Sequence, residues 1–189
     1  ESTQVSISPD KQDVYVTANI VEGERFQVSS VKMAGDFTIP EGELKKLVAI
    51  KPGDVFSREK LNGTTKAISD RLGKEGYAFA NVNAAPEIDK DKRTVAFTIF
   101  VDPGKRVYVR RVNVTGNTKT RDEVVRREMR QMEGGWYDAD KVTASKQRID
   151  RLGFFGDVAI ETPAVSGTAD QLDVNVNVTE KPTGNLMLG

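Results

Sequence analysis

Displaced by 81 residues, the chain falls on itself, and this repeat limits its possible folds more than any other feature. Gly23 meets Gly104 and Arg25 meets Arg106. Phe26, Val28, Val31 and Met33 meet Val107, Val109, Val112 and Val114. Gly35 meets Gly116, Leu44 and Val48 meet Val125 and Met129, Gly53 meets Gly134, and Phe56 meets Tyr137. A gap of four residues inside one helix follows, and then the match resumes. Arg71-Leu72 and Gly76-Tyr77 meet Arg148-Ile149 and Gly153-Phe154, and Val95, Phe97, Ile99 and Val101 meet Leu172, Val174, Val176 and Val178. Val14, Val16, Ala18 and Ile20 occupy that last position once more, so the chain reads as the end of one unit followed by two whole units of about 78 residues. Both ends, Glu1 without a Met and the apolar Asn185–Gly189, read as cut from something longer.

Composition then removes whole classes of chemistry. The 189 residues hold 28 Lys and Arg against 28 Asp and Glu, so no overall field draws the chain to a polyanion. With no Cys there are no disulfides, thiolate metal sites or thiol nucleophiles. With no His, the commonest general base and metal ligand and the Ser-His-Asp arrangement are gone together. No apolar run approaches the ~20 residues of a membrane helix. Asp54, Asp138 and Asp140 read as caps or turn residues, and Asp89-Lys-Asp91 lacks the Gly-containing frame of a calcium loop. Gly134-Gly135 is not followed by the Lys-Ser/Thr of a phosphate loop. No catalytic residue, metal site or cofactor is nominated.

Each unit reads β-α-α-β-β, an α+β class. Val28–Met33 and Val109–Thr115 are β-rich runs closed by Gly35 and Gly116. A short helix follows. Pro40 suits its first turn in the first unit, with Leu44, Leu47 and Val48 as the apolar face. In the second unit, Thr120-x-x-Glu123 reads as a capping box, with Val125, Met129 and Met132 on one face. Ser57 and Asp138 are N-caps for a second helix that ends at Gly76 and Gly153. Two strands finish each unit: Ala78–Ile88 then Arg93–Val101, and Val158–Ala164 then Gln171–Val178. The expected solution is a three-stranded mixed sheet with two antiparallel helices on one face and water on the other. Pro86 and Pro163 place the second strand of each unit at an edge, because proline cannot donate to a ladder. The short connectors Val21–Glu24 and Val101–Gly104 imply jointed units with limited hinge freedom.

A tandem β-α-α-β-β unit of this size resembles the POTRA domain. The stretch Arg126-Arg-Glu-Met-Arg-Gln-Met-Glu-Gly-Gly-Trp136, followed by Arg151-Leu-Gly-Phe-Phe-Gly-Asp-Val158, is similar to the barrel-proximal POTRA domain of the Omp85 family. The resemblance covers nearly the whole chain. It implies that residues 1–24 hold the C-terminal strand of a preceding repeat, 25–102 a fourth-like POTRA domain, 103–183 a fifth-like one, and 184–189 the start of a β-barrel. It also implies the periplasmic face of a bacterial outer membrane and a scaffold without enzyme activity. The implied partners are an accessory outer-membrane lipoprotein (BamD-like) at the second domain, unfolded outer-membrane protein clients and the chain's own C-terminal barrel.

Three surfaces are candidates. Phe79-Ala-Asn-Val-Asn-Ala-Ala85 is short-side-chained and nearly uncharged, so at Phe79, Asn81, Val82, Asn83 and Ala84 an extended client can approach the edge and add a strand. Residues 105–130 carry nine Lys and Arg against Asp122, Glu123 and Glu128. That stretch suits anionic lipid headgroups, acidic partner residues or, as the alternative reading, nucleic acid, unless pairs such as Glu123 with Arg127 neutralise it. Within it, the resemblance places Arg130 and Glu133 at the lipoprotein contact. Arg127 lies beside them, and Glu133 is expected to be exposed. Trp136 aligns with Val55 and is expected to be half buried, although an exposed Trp would be a contact hot spot. Tyr137 and Phe154 align with Phe56 and Tyr77 as core residues.

Overall fold

The computed structural model describes residues 2–7, 14–19 and 24–182. The first two described strands, β1 (Ser2–Ile7) and β2 (Val14–Asn19), pair antiparallel. A strand was expected at β2, and β1 is additional. Ile20 and the expected barrel entry at 184–189 lie outside the described residues.

The first unit comprises β3 (Gln27–Gly35), α1 (Glu41–Lys46), α2 (Arg58–Lys74), β4 (Asn81–Asp89) and β5 (Thr94–Asp102). The second comprises β6 (Tyr108–Thr115), α3 (Asp122–Arg126), α4 (Ala139–Arg151), β7 (Phe155–Glu161) and β8 (Gln171–Glu180). Each sheet has three strands, in the orders β3-β5-β4 and β6-β8-β7. The first strand runs parallel to the central one and the second antiparallel to it, which makes both sheets mixed. The repeat extends to irregularities: the register shifts between Val28 and Ser30, and again between Val109 and Arg111.

The central strands show why the sheets are one-sided. Val95, Phe97, Ile99 and Val101 are buried on the helix side, as are Leu172, Val174, Val176 and Val178, while the residues between them face outward. Leu44, Ile68 and Leu72 in the first unit, and Val125, Met129 and Ile149 in the second, close each core from above. Ser57 Oγ accepts from Lys60 N, and Asp138 Oδ1 accepts from Asp140 N and Lys141 N, so both expected N-caps form. Thr64 Oγ1 accepts from Ala49 N and Ser145 Oγ accepts from Arg130 N, the same tie 81 residues apart. That equivalence puts the four-residue gap later in the helix, where 17 residues of α2 become 13 in α4.

Several expectations fail locally. The Thr120–Glu123 capping box does not form. Instead Glu180, at the end of β8, accepts from the backbone N–H of Thr120 at 2.7 Å and of Lys119 at 3.0 Å, and from the Thr118 hydroxyl at 2.8 Å. A remote carboxylate thus does the work expected of Glu123, and these donors hold its pKa down at about 2. The helix α3 spans only five residues, so Met132 falls outside its face and is exposed. Pro40 stands at the N-cap of α1 rather than inside its first turn. Strand β4 begins at Asn81, which leaves Phe79 in the preceding turn. Strand β7 ends at Glu161, which leaves Pro163 beyond it. Phe154 is exposed and its neighbour Phe155 takes the core position.

Candidate functional site

The segment 126–136 descends from α3 to the turn before α4, and one buried side chain shapes it. Gln131 donates from Nε2 to Trp136 O at 3.0 Å and accepts at Oε1 from Asp138 N at 2.9 Å. It is 1 % exposed and stands where the first unit has the buried Ile50. A satisfied polar side chain on an apolar position fixes the loop. Sequence reading missed it, although a polar residue at an apolar repeat position is the available signal.

The candidate residues fall on three parts of this loop. Arg130 is exposed, its backbone N tied to Ser145 Oγ at 2.8 Å. Among the described residues its guanidinium makes no ion pair. Arg127 lies 3.6 Å from Glu128, which also holds Arg148 at 2.8 Å. The expected Glu123–Arg127 pair is absent, because Asp122 takes Arg126 and Glu123 takes Arg121.

Glu133 is half exposed but engaged. Its Oε1 accepts from Val112 N at 2.7 Å, while Arg126 Nη2 donates to Val112 O at 2.8 Å. Val112 lies on β6, an edge strand, so two side chains clasp the outward-facing groups of one edge residue. The carboxylate, exposed as expected, therefore also has an intramolecular role, and Arg126 shares it.

Trp136 is 51 % exposed, about half buried, and its repeat counterpart Val55 is similarly placed at 55 %. The ring packs edge-on against Tyr108, and the Arg106 guanidinium lies over its face, 4.6 Å from the centroid. Arg106 also donates from Nε to Glu75 O at 2.9 Å, at the end of α2. Val107 N donates to Gly76 O, Lys74 pairs with Asp140, and Ala78 packs on the second unit's core. Tyr137 sits at the same junction, where burial and then the charges of Asp138 and Asp70 raise its phenol pKa. The connector at 103–106 is thus part of a packed joint.

Strand β4 is an edge, as Pro86 suggested. Asn81, Asn83 and Ala85 point to the open face, while Val82 and Ala84 pack toward the helices. Phe79 is exposed in the turn before them. The structure thus keeps Asn81–Ala84 in one accessible strand and sets Phe79 beside it. In the basic stretch, Arg110 is bound by Asp173 through two nitrogens, which holds the Asp173 carboxyl below its usual range. Arg121, Arg126 and Arg127 are also ion-paired. This pairing removes much of the charge that a nucleic-acid reading needs.

Open-edged mixed sheets in tandem, each covered on one face by two helices, define a pair of small α+β domains. The profile of the POTRA family, described as a surface antigen variable number repeat, matches residues 26–104 and 107–181, and the chain belongs to that family. Its relatives narrow this further. The outer membrane protein assembly factor BamA of Neisseria meningitidis serogroup B is 38% identical over 187 residues, 98% of this chain and 24% of the relative. The same-named protein of Neorickettsia risticii is 35% identical over 183 residues, 95% of this chain and 24% of the relative. The chain thus spans about a quarter of the length of these relatives. The crystal structure of Haemophilus influenzae BamA POTRA3-5 matches with a TM-score of 0.84 and 36% identity, over 95% of this chain and 71% of that one.

Proposed function

We propose that this chain is a periplasmic, non-enzymatic binding module of an outer-membrane protein assembly machine. Its second unit docks a BamD-like accessory lipoprotein through Arg127, Arg130, Glu133 and Trp136. Its first unit offers the β4 edge at Asn81–Ala84 to unfolded β-barrel clients, with Phe79 at the entrance. The likeness to the BamA assembly factors over almost the whole chain carries this reading. The exposed Arg130 and Trp136 support it locally, since a charge and an aromatic on a pinned loop give a contact orientation and area at little cost in order.

Lipoprotein capture by the wild-type chain, compared with variants at Arg130 and Glu133, tests the reading. Arg130→Glu is expected to weaken capture at least tenfold. Glu133→Gln separates two roles, because glutamine still accepts from Val112 N but carries no charge. Loss of capture by Glu133→Gln marks a direct charge contact, and retention confines Glu133 to holding its loop. Undiminished capture by Arg130→Glu refutes the docking site.

A further inference from the structure

The clasp on Val112 has a counterpart that lacks its closing side chains. Each unit carries a groove between its first strand and its short helix. In the second unit it measures about 330 Å³ and is lined by Val112, Arg126, Met129, Gln131, Met132 and Glu133. In the first it measures about 520 Å³, and its lining includes the counterpart of every one of these: Val31, Lys45, Val48, Ile50, Lys51 and Pro52. The two are one groove, repeated.

Their chemistry differs where it matters. Pro52 replaces Glu133 and offers no side-chain acceptor to the strand. Lys45 replaces Arg126 and is turned to Glu41, at 2.8 Å, rather than to the Val31 carbonyl. Val31 and Val112 hold the same register against their central strands, and both sheets carry the same bulge before them. The N–H and C=O of Val31 therefore face out from the β3 edge, as those of Val112 do from β6. Strand alternation points the groups of Met33 the same way. Among the described residues no side chain reaches any of these four groups. Just before the bulge the edge is covered, by Gly53 N to Val28 O and Val28 N to Asp54 O. The open stretch thus begins where internal pairing stops.

We propose that the β3–α1 groove of the first unit binds an extended acidic peptide segment as an added strand beside Val31 and Met33. The second unit shows the ligand chemistry: a carboxylate oxygen accepts from the edge N–H, and a donor meets the edge C=O. A peptide backbone supplies both kinds of group at every second residue. Val31, Met33, Val48 and Ile50 provide an apolar floor for alternate small apolar side chains. Lys32 and Lys51 at the rim make no ion pair among the described residues, and they select acidic residues at the intervening positions. This groove lies on the opposite edge of the sheet from β4 and does not rest on the function proposed above.

The probe is a fluorescein-labelled octapeptide of alternating valine and glutamate, added to the isotope-labelled full chain. Amide shifts are expected at Val31 and Met33, with slowed hydrogen exchange there. Lys45→Arg with Pro52→Glu installs the second unit's clasp and is expected to weaken binding at least tenfold. Glu133→Ala opens the clasp in an otherwise unaltered first unit, and a second set of shifts is expected at Val112 and Val114. This arm decides the matter if the double variant does not fold. The proposal is overturned by shifts confined to β4, by a valine–lysine peptide binding equally well, or by a folded double variant of undiminished affinity.

Discussion

Gly116→Ala should cost the second unit far more than Gly134→Ala, although both glycines have positive φ, +86° and +72°. Any alanine there pays the left-handed penalty, about 1–2 kcal/mol. The surroundings then separate the two. A Cβ at Gly134 meets nothing within 4 Å. A Cβ at Gly116 drives into the Val178 carbonyl, with its carbon only 3.0 Å away. That obstacle is backbone of the central strand, so no rotamer change relieves it, and β8 must retreat from Val112 and Val114. Displacing a packed strand of the core adds about 1–3 kcal/mol. The expected totals are about 1–2 kcal/mol for Gly134→Ala and about 2–5 kcal/mol for Gly116→Ala. A domain of this size holds only roughly 4–11 kcal/mol, so the second change takes a large share. Trp136 is the chain's one tryptophan, so its emission during urea unfolding reports on this unit. The repeat supplies a replicate in Gly35, whose Cβ would press on the Val101 backbone, and Gly53, which faces open space. Equal costs for Gly116→Ala and Gly134→Ala would refute the argument from close strand approach.

The duplicated hydroxyl ties make a second test. Ser145→Ala strands the Arg130 amide, and Thr64→Val strands that of Ala49, each costing about 1–3 kcal/mol in chemical unfolding. Glu180 has a folded pKa depressed to about 2, so its stabilisation is complete above the unfolded value near 4.5 and fades as pH falls toward 2. Glu180→Gln should flatten the acid limb of the Trp136 emission profile in that window, and an unchanged limb would remove Glu180 from the loop's support. Arg106→Ala loses the contact over Trp136 and the bond to Glu75 O, about 1–2 kcal/mol together. Residual dipolar couplings should then no longer fit one alignment tensor for both units, whereas a single tensor would show that Arg106 does not hold the joint.

The fold was largely legible because repeated apolar, glycine and capping positions agree at two levels, local preference and distant match. The alternation Val95-Phe97-Ile99-Val101, the caps Ser57 and Asp138, and the edge-marking Pro86 each carry their reason in a few adjacent residues. What was misread depends on partners far along the chain. Thr120 is served by Glu180 rather than Glu123, and Arg126 prefers Asp122 and Glu133, leaving Arg127 to Glu128. Several acceptors compete for each donor on a surface this charged, and tertiary placement decides among them. The candidate site was legible only as a stretch. Its individual roles were not, because the clasp on Val112 joins residues 21 apart in sequence.

The repeat also separates what the fold requires from what each unit does with it. Gly35 with Gly116, Thr64 with Ser145, and the two bulges stay equivalent in kind, and each has a packing or hydrogen-bond reason. One strip diverges at four positions: Lys45 against Arg126, Ile50 against Gln131, Pro52 against Glu133 and Val55 against Trp136. All four line or flank the same groove and the turn beyond it. Divergence at core positions would be limited by volume, but here an apolar residue gives way to an amide and a proline to a carboxylate. Such exchanges serve no packing need, since the first unit folds without them. They change which groups of an edge strand face solvent: the clasp closes Val112, while among the described residues no side chain reaches Val31, and in this the two otherwise matched units differ.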